Sequence, residues 1–210
     1  MTASILIFGL PRTATTVLQL TLARLFNFKN LNEPFCGDEI AHDVYTWAAG
    51  QKSSVMKLLS TNLYQHNTTA VDIIKLLAEV PMQLVVTTRN NLVDCCASLY
   101  YAEQVVDKFH YSRFETVEPV EFTVNMNFLN SWLAEHRRYH QVIADLKSHQ
   151  IPYDIFDYDL YLNNVPQLIL GKTVVQQNFN FVHADINYSN LCTNYQEVKT
   201  IIDTHVLGLT

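Results

Sequence analysis

The chain has 210 residues, 49% of them hydrophobic and 16% charged, with a formal net charge of −6. That apolar content excludes a disordered chain and suits one compact domain. The negative balance argues against a general nucleic-acid binder, which needs a positive field to displace counterions, but leaves room for a local basic pocket holding one small anion.

In chain order, Ser4 to Leu10 is a short apolar run rich in branched residues, as expected of a strand buried on both faces. Beyond the turn, Leu18, Leu22, Leu25 and Phe26 recur at i, i+4, i+7 and i+8, one face of a helix. The stretch 35–79 has weaker periodicity and scattered polar and aromatic residues, and reads as helices and loops inserted after the first strand–helix unit. "MQLVVTT", Met82 to Thr88, is a second buried strand introduced by Pro81; Leu92 to Val106 follows without Pro or Gly and suits a helix. Phe122 to His149 is the longest helical stretch, with Phe128, Trp132 and Leu133 facing inward. A third strand starts after Pro152, and the Asn-rich stretch from Gln176 to Tyr195 has no clear period and reads as a long loop. Strands alternating with helices predict an α/β layer fold around a mostly parallel sheet, in a single domain of residues 1–210. Ligands of such folds bind beyond the carboxyl ends of the strands, so the 35–79 insertion is expected to shape a substrate mouth.

Cys36, Cys95, Cys96 and Cys192 form neither a disulfide framework nor paired CxxC zinc spacing, and read as thiols in a reducing compartment. No run approaches the roughly 20 apolar residues of a membrane span, and no basic n-region precedes the first apolar run. Asn67 and Asn187 head glycosylation sequons that, without a secretion signal, read as chance matches; the expected location is cytoplasmic. His136 and His140 fall at i, i+4 on a helix, but the metalloprotease Glu is absent and Arg137 and Arg138 would repel a cation, so no metal is expected.

"ILIFGLPRTATT", Ile5 to Thr16, has the outline of a phosphate loop: a strand turns on Gly9 and becomes a helix. Thr13 to Thr16 would form the first helical turn, where free N–H groups and the dipole attract an anion; Thr15 and Thr16 add hydroxyls and Arg12 a planar fork of donors. From composition alone an ordinary strand–turn–helix with threonine caps stays open. Thr15 stands where a nucleotide triphosphatase carries its Lys.

"GLPRTATT" resembles the 5′-phosphosulfate loop of sulfotransferases that use 3′-phosphoadenosine 5′-phosphosulfate (PAPS), where G-x-P-R-[ST]-G-T-T recurs; it is most similar to the loop of tyrosylprotein and related bacterial enzymes. The family usually has Gly where this chain has Ala14. "LVVTTRNNLVDCCASLYYA", Leu84 to Ala102, is similar to the family's 3′-phosphate site, a strand ending in Arg followed by a helix bearing Ser. Here Arg89 and Ser98 stand nine residues apart, one more than in R-[DN]-P-x-x-x-x-x-S, and Asn91 replaces the Pro. "YDIFDYDLYLNN" resembles the family's Y-E-D-L strand end at Tyr158. The resemblance implies a P-loop nucleotide-kinase-like three-layer fold, with a central mostly parallel sheet flanked by helices. It implies PAPS as cofactor, held by Pro11, Arg12, Thr13, Ala14, Thr15, Thr16, Arg89, Ser98 and Tyr158, without metal.

Sulfuryl transfer to a hydroxyl needs an in-line acceptor, charge neutralisation on the leaving phosphate and a base for the acceptor's proton. Glu33 lies 21 residues after Arg12, about where the family's tyrosylprotein and heparan-type members carry a catalytic Glu, so the match implies Glu33 as general base and Arg12 as stabiliser of developing charge. Asp38, His42 and Asp43 stand in reserve. The reading is a sulfotransferase acting on a hydroxyl, or an amine, of a small molecule, glycan or peptide. A P-loop kinase and a degenerate nucleotide-binding module are its rivals.

Overall fold

The computed structural model describes residues 3–34, 50–65, 72–74, 77, 81–106, 111–112, 119–176, 181–182 and 186–209. The chain divides into two compact units, Met1–Arg89 with Arg138–Gln177, and Asn90–Arg137 with Asn178–Thr210. Composition carries no sign of this division, because one crossing falls inside a helix and another directly after a strand, where no Gly- or Pro-rich linker is needed.

The first unit holds a five-stranded sheet. Its strands are β1 (Ser4–Gly9), β2 (Lys29–Asn30), β3 (Ser54–Leu59), β4 (Met82–Thr88) and β6 (Tyr153–Asp157), in the order β2-β3-β1-β4-β6. Every pairing in it is parallel. The three strands expected from the sequence are present, in an α/β arrangement. The stretch 35–79, read as helices and loops, instead contributes β3, next to the central strand, followed by α2 (Ser60–Gln65). A lysine in the middle of "SVMKLL" hides the strand from an apolar-run criterion.

Register decides which side chains share a face. Leu6 is level with Met56 and Leu84, and Phe8 with Leu58 and Val86. These six form one apolar surface with Tyr139, Val142 and Leu146 from the second half of α4 (Met126–Ser148). Tyr139 stacks on Phe8 at 5.6 Å. Strand side chains alternate faces, so Ile5, Ile7, Val55, Lys57 and Val85 point the other way. On that side packs α1 (Thr15–Phe26), through its buried Val17, Leu18 and Leu22. Helices therefore cover both faces of the sheet. β6 ends at Asp157, whose carboxylate caps α5 (Tyr158–Leu162) by accepting from the Asp159 and Leu160 N–H groups at 2.8 and 3.1 Å. A hairpin of β7 (Gln167–Ile169) and β8 (Lys172–Val174) follows.

The second unit is built on α3 (Leu92–Tyr100), the first half of α4, α6 (Tyr188–Leu191) and α7 (Tyr195–Leu207). The expected helix from Leu92 to Val106 ends in a π turn, Tyr101–Val105, closed by the Val106 N–H on the Tyr101 carbonyl. Trp132 and Leu133 are buried as expected, with Phe128 packed against the same cluster. The supposed loop from Gln176 to Tyr195 carries α6 and the short strand β9 (Phe181–Val182), paired antiparallel with β5 (Tyr111–Ser112). Helices and strands this short leave no period to read. No helix among the described residues is long and apolar enough to cross a membrane.

Candidate active site

Chain connection reverses direction at β1: the chain goes through β2 and β3 on one side, then crosses to β4 on the other. The loops leaving β1 and β4 thus stand side by side at the carboxyl edge, the general place for ligands in open α/β sheets.

Gly9 closes β1. A Cβ there would overlap Thr87 Oγ1 and come within 3.0 Å of Thr13 Oγ1 and 3.1 Å of Thr15 Cγ2. The glycine is therefore required by close approach and not by the turn, since its φ is not positive. Thr13 donates to the Leu10 carbonyl at 2.6 Å, so the 2.6 Å contact between the Thr13 and Thr87 hydroxyls must have Thr87 as donor. Both threonines are buried, and Tyr139 donates to the Thr87 carbonyl at 2.9 Å. Thr13, expected in the first helical turn, is thus a rivet between β1 and β4.

The turn itself is made by Arg12 (φ 66°) and Ala14 (φ 59°), on either side of a Thr13 whose φ is not positive. Two left-handed residues this close bend the chain sharply just before α1. α1 begins at Thr15, and its N-cap, Ala14, has no side chain to offer the first-turn donors. The N–H groups of Thr15, Thr16 and Val17 have no carbonyl four residues back within the helix, and the first turn holds no acidic residue.

Arg89 follows β4. Its Nη1 donates to the carbonyl of Arg12 at 3.1 Å, and its guanidinium lies 5.0 Å from the ring centroid of the buried Tyr158. Its Nε is buried without a hydrogen-bond partner. Three residues singled out from separate motifs, Arg12, Arg89 and Tyr158, are brought together here.

Glu33 is not an isolated loop acid. Its carboxylate accepts from Lys57 Nζ at 3.0 Å, and the same ammonium donates to Thr16 Oγ1 at 2.9 Å. Lys57 is only 8% exposed. The backbone leading to Glu33 is held by the Asn32 carbonyl, which accepts from the Lys57 N–H at 3.1 Å and from Gln19 Nε2 at 2.5 Å. Lys57 and Gln19 are the site residues that motif reading missed. The available signal for Lys57 was a single charge inside an otherwise apolar run, which a buried strand tolerates only if the ammonium finds partners.

Ser98 belongs to the other unit, where its buried hydroxyl donates to the Cys95 carbonyl at 3.1 Å, one turn back on α3. His136 faces His205, with 3.2 Å between Nδ1 and Nε2, and stacks on Trp132. His140 is exposed, and partial burial of its ring with Lys147 nearby lowers its pKa. Cys95, Cys96 and Cys192 are buried thiols. Burial first, then the neighbouring Cys95 and Cys192, push the Cys96 thiol far above its ordinary value. Among the described residues no group of three or more His, Cys, Asp or Glu could hold a metal. Cys36, Asp38, His42, Asp43 and Asn67 lie outside the described residues.

Set against protein-family models and against curated proteins, the sequence matches none.

Proposed function

We propose that the protein is a PAPS-dependent sulfotransferase with a P-loop-like core, transferring a sulfuryl group to a hydroxyl or amine acceptor. One observation carries this reading: the two arginines of separate motifs meet, side chain to backbone, beyond the carboxyl ends of β1 and β4. A strand–loop–helix leaving the central strand, with an uncapped helix start and a left-handed turn, supplies donors for a 5′-phosphosulfate. Arg89, with an unsatisfied Nε, supplies the fork for a 3′-phosphate.

In the proposed step the acceptor oxygen forms a bond to sulfur as its proton passes to the Glu33 carboxylate. The bond from sulfur to the bridging phosphate oxygen breaks, and its electron pair leaves on the phosphate. Lys57 holds Glu33 and Thr16 with one ammonium, so base and loop keep a fixed spacing. Arg12 and the helix N-terminus meet the charge that grows on the leaving oxygen.

A kinase reading has one observation in its favour, since Lys57 brings an ammonium beside Thr16 although the loop has none of its own. Thermal unfolding with 3′,5′-adenosine bisphosphate, AMP and Mg-ATP separates the two. At a hundredfold excess over Kd the bisphosphate is expected to add about 2.7 kcal/mol, or roughly 5–11 °C. An equal shift with AMP refutes the 3′-phosphate site, and a larger shift with Mg-ATP favours phosphoryl transfer. Bisphosphate binding with no turnover on any acceptor class marks a degenerate module.

A further inference from the structure

Arg89 is engaged at one nitrogen and unengaged at another. Its Nη1 is committed to the Arg12 carbonyl, while its buried Nε has no partner. Arg12 is a non-glycine residue held in the left-handed region, as is Ala14 two positions on. A backbone of this kind costs free energy and persists only where its surroundings fix it. One contact that reaches the Arg12 carbonyl is the Arg89 guanidinium from the end of β4, itself seated over the Tyr158 ring.

We propose that Arg89 is a latch that keeps the β1–α1 loop in its anion-binding shape, so that an anion gripped by Arg89 and an anion bound by the loop reinforce each other. The first half of the statement concerns the ligand-free protein. The second rests on the sulfotransferase reading, because it takes a nucleotide with phosphate at both its 3′ and 5′ positions as the bridging ligand. Anion contact at Nε would orient the guanidinium and so strengthen the bond from Nη1 to the loop. Arg89 is in this respect a positioning residue for the 5′ end, which it does not touch.

The test uses Arg89→Gln, with Arg89→Lys as a second variant that keeps the charge but has one ammonium in place of the fork. In ligand-free protein, limited trypsin digestion is read at the Arg12–Thr13 bond and scaled to cleavage after Arg137 on the exposed side of α4. The latch predicts cleavage about tenfold faster in Arg89→Gln, the weight of one hydrogen bond from a charged donor. Unchanged relative cleavage in both variants overturns it. Calorimetry with 5′-AMP, which lacks the 3′-phosphate, then reads the coupling. A residue that only bound the 3′-phosphate would leave 5′-AMP affinity untouched, whereas the latch predicts a loss of about tenfold in Arg89→Gln, with Arg89→Lys between. Loss of bisphosphate affinity with 5′-AMP affinity intact overturns the coupling and leaves the nucleotide reading standing. A parent protein that binds neither nucleotide overturns both the nucleotide reading and the coupling, and the digestion result decides the latch alone.

Discussion

Gly9→Ala separates two accounts of the loop by the sign of its effect. If Gly9 served only a turn, or only sat in a strand, alanine would fit its φ and stabilise the fold by about 0.4–1 kcal/mol through lost unfolded-state entropy. The structure instead puts Thr87 Oγ1 where the new methyl must go. That hydroxyl cannot swing aside cheaply: Thr87 is 0% exposed, and its Oγ1 is bonded to Thr13. Forcing a methyl into a packed site costs about 1–3 kcal/mol. Breaking the Thr13–Thr87 bond adds about 1 kcal/mol. A loss near 3 kcal/mol is therefore expected, measured by urea unfolding and as a fall in Tm of roughly 6–12 °C. Thr87→Ala in the same chain should recover about 1 kcal/mol or more of the coupling, though not all of it, because Thr13 Oγ1 and Thr15 Cγ2 remain within 3.1 Å. A stable Gly9→Ala, or strict additivity in the double variant, would refute close approach.

Ala14→Gly relieves a left-handed alanine at the N-cap, and should raise stability by about 0.5–1 kcal/mol once glycine's entropy is set against it; a lower Tm would contradict the loop geometry. Lys57→Met should cost about 3 kcal/mol by stranding the Glu33 carboxylate, and Glu33→Gln combined with it should restore part of that loss in a double-mutant cycle, less than for a fully buried pair because the Glu33 side chain is 23% exposed. On the sulfotransferase reading, Glu33→Gln alone should abolish sulfate transfer while bisphosphate binding persists, read with radiolabelled donor. For Cys96 the folded pKa is raised above the ordinary 9.0, so both states keep the proton below that pH and no stability is lost. Above it the unfolded chain ionises first, and stability should fall with pH by up to about 1.4 kcal/mol per unit, a slope that Cys96→Ala reduces in urea titrations between pH 9 and 10.

Strands β1 and β4 were legible as apolar runs and β6 from the Pro152 that introduces it, and their alternation with helices was enough for an α/β parallel sheet. β3 was not, for a reason that bears on the site. Lys57 breaks its apolar run, yet stays buried because Glu33 and Thr16 receive its protons. A sequence scan sees the charge but not the partners, one on α1 and the other beyond β2. Arg12, Arg89 and Tyr158 were legible as motif positions, but their mutual contacts come from register. Thr87 is level with Gly9, so the residue two beyond it leaves the sheet beside the loop that follows Gly9. Gly9 itself was found for the wrong reason. A glycine at a strand end suggests a turn, whereas its lost Cβ makes room for a hydroxyl from a strand nearly 80 positions later.

The lysine missing from the loop and the lysine hidden in β3 are two parts of one arrangement. A loop with Thr15 in the lysine position has no flexible ammonium to reach over a triphosphate. The positive groups here come from three adjacent strands: Lys57 from within β3, Arg12 from the loop after β1, and Arg89 directly after β4. Two of them are tied down, Lys57 between Glu33 and Thr16, and Arg89 between Tyr158 and the Arg12 carbonyl. Fixed cations suit a ligand whose anionic groups are far apart and whose reaction does not require a metal to move with the transferred group. On the proposed reading a chain carrying −6 overall gains from this in another way, since a local cluster would draw one small anion without conferring affinity for polyanions. Salt dependence then separates the cluster from a diffuse basic surface: bisphosphate affinity should fall only modestly from 50 to 200 mM salt, whereas a drop of about 10³-fold, typical of many screened phosphate contacts, would contradict a compact site.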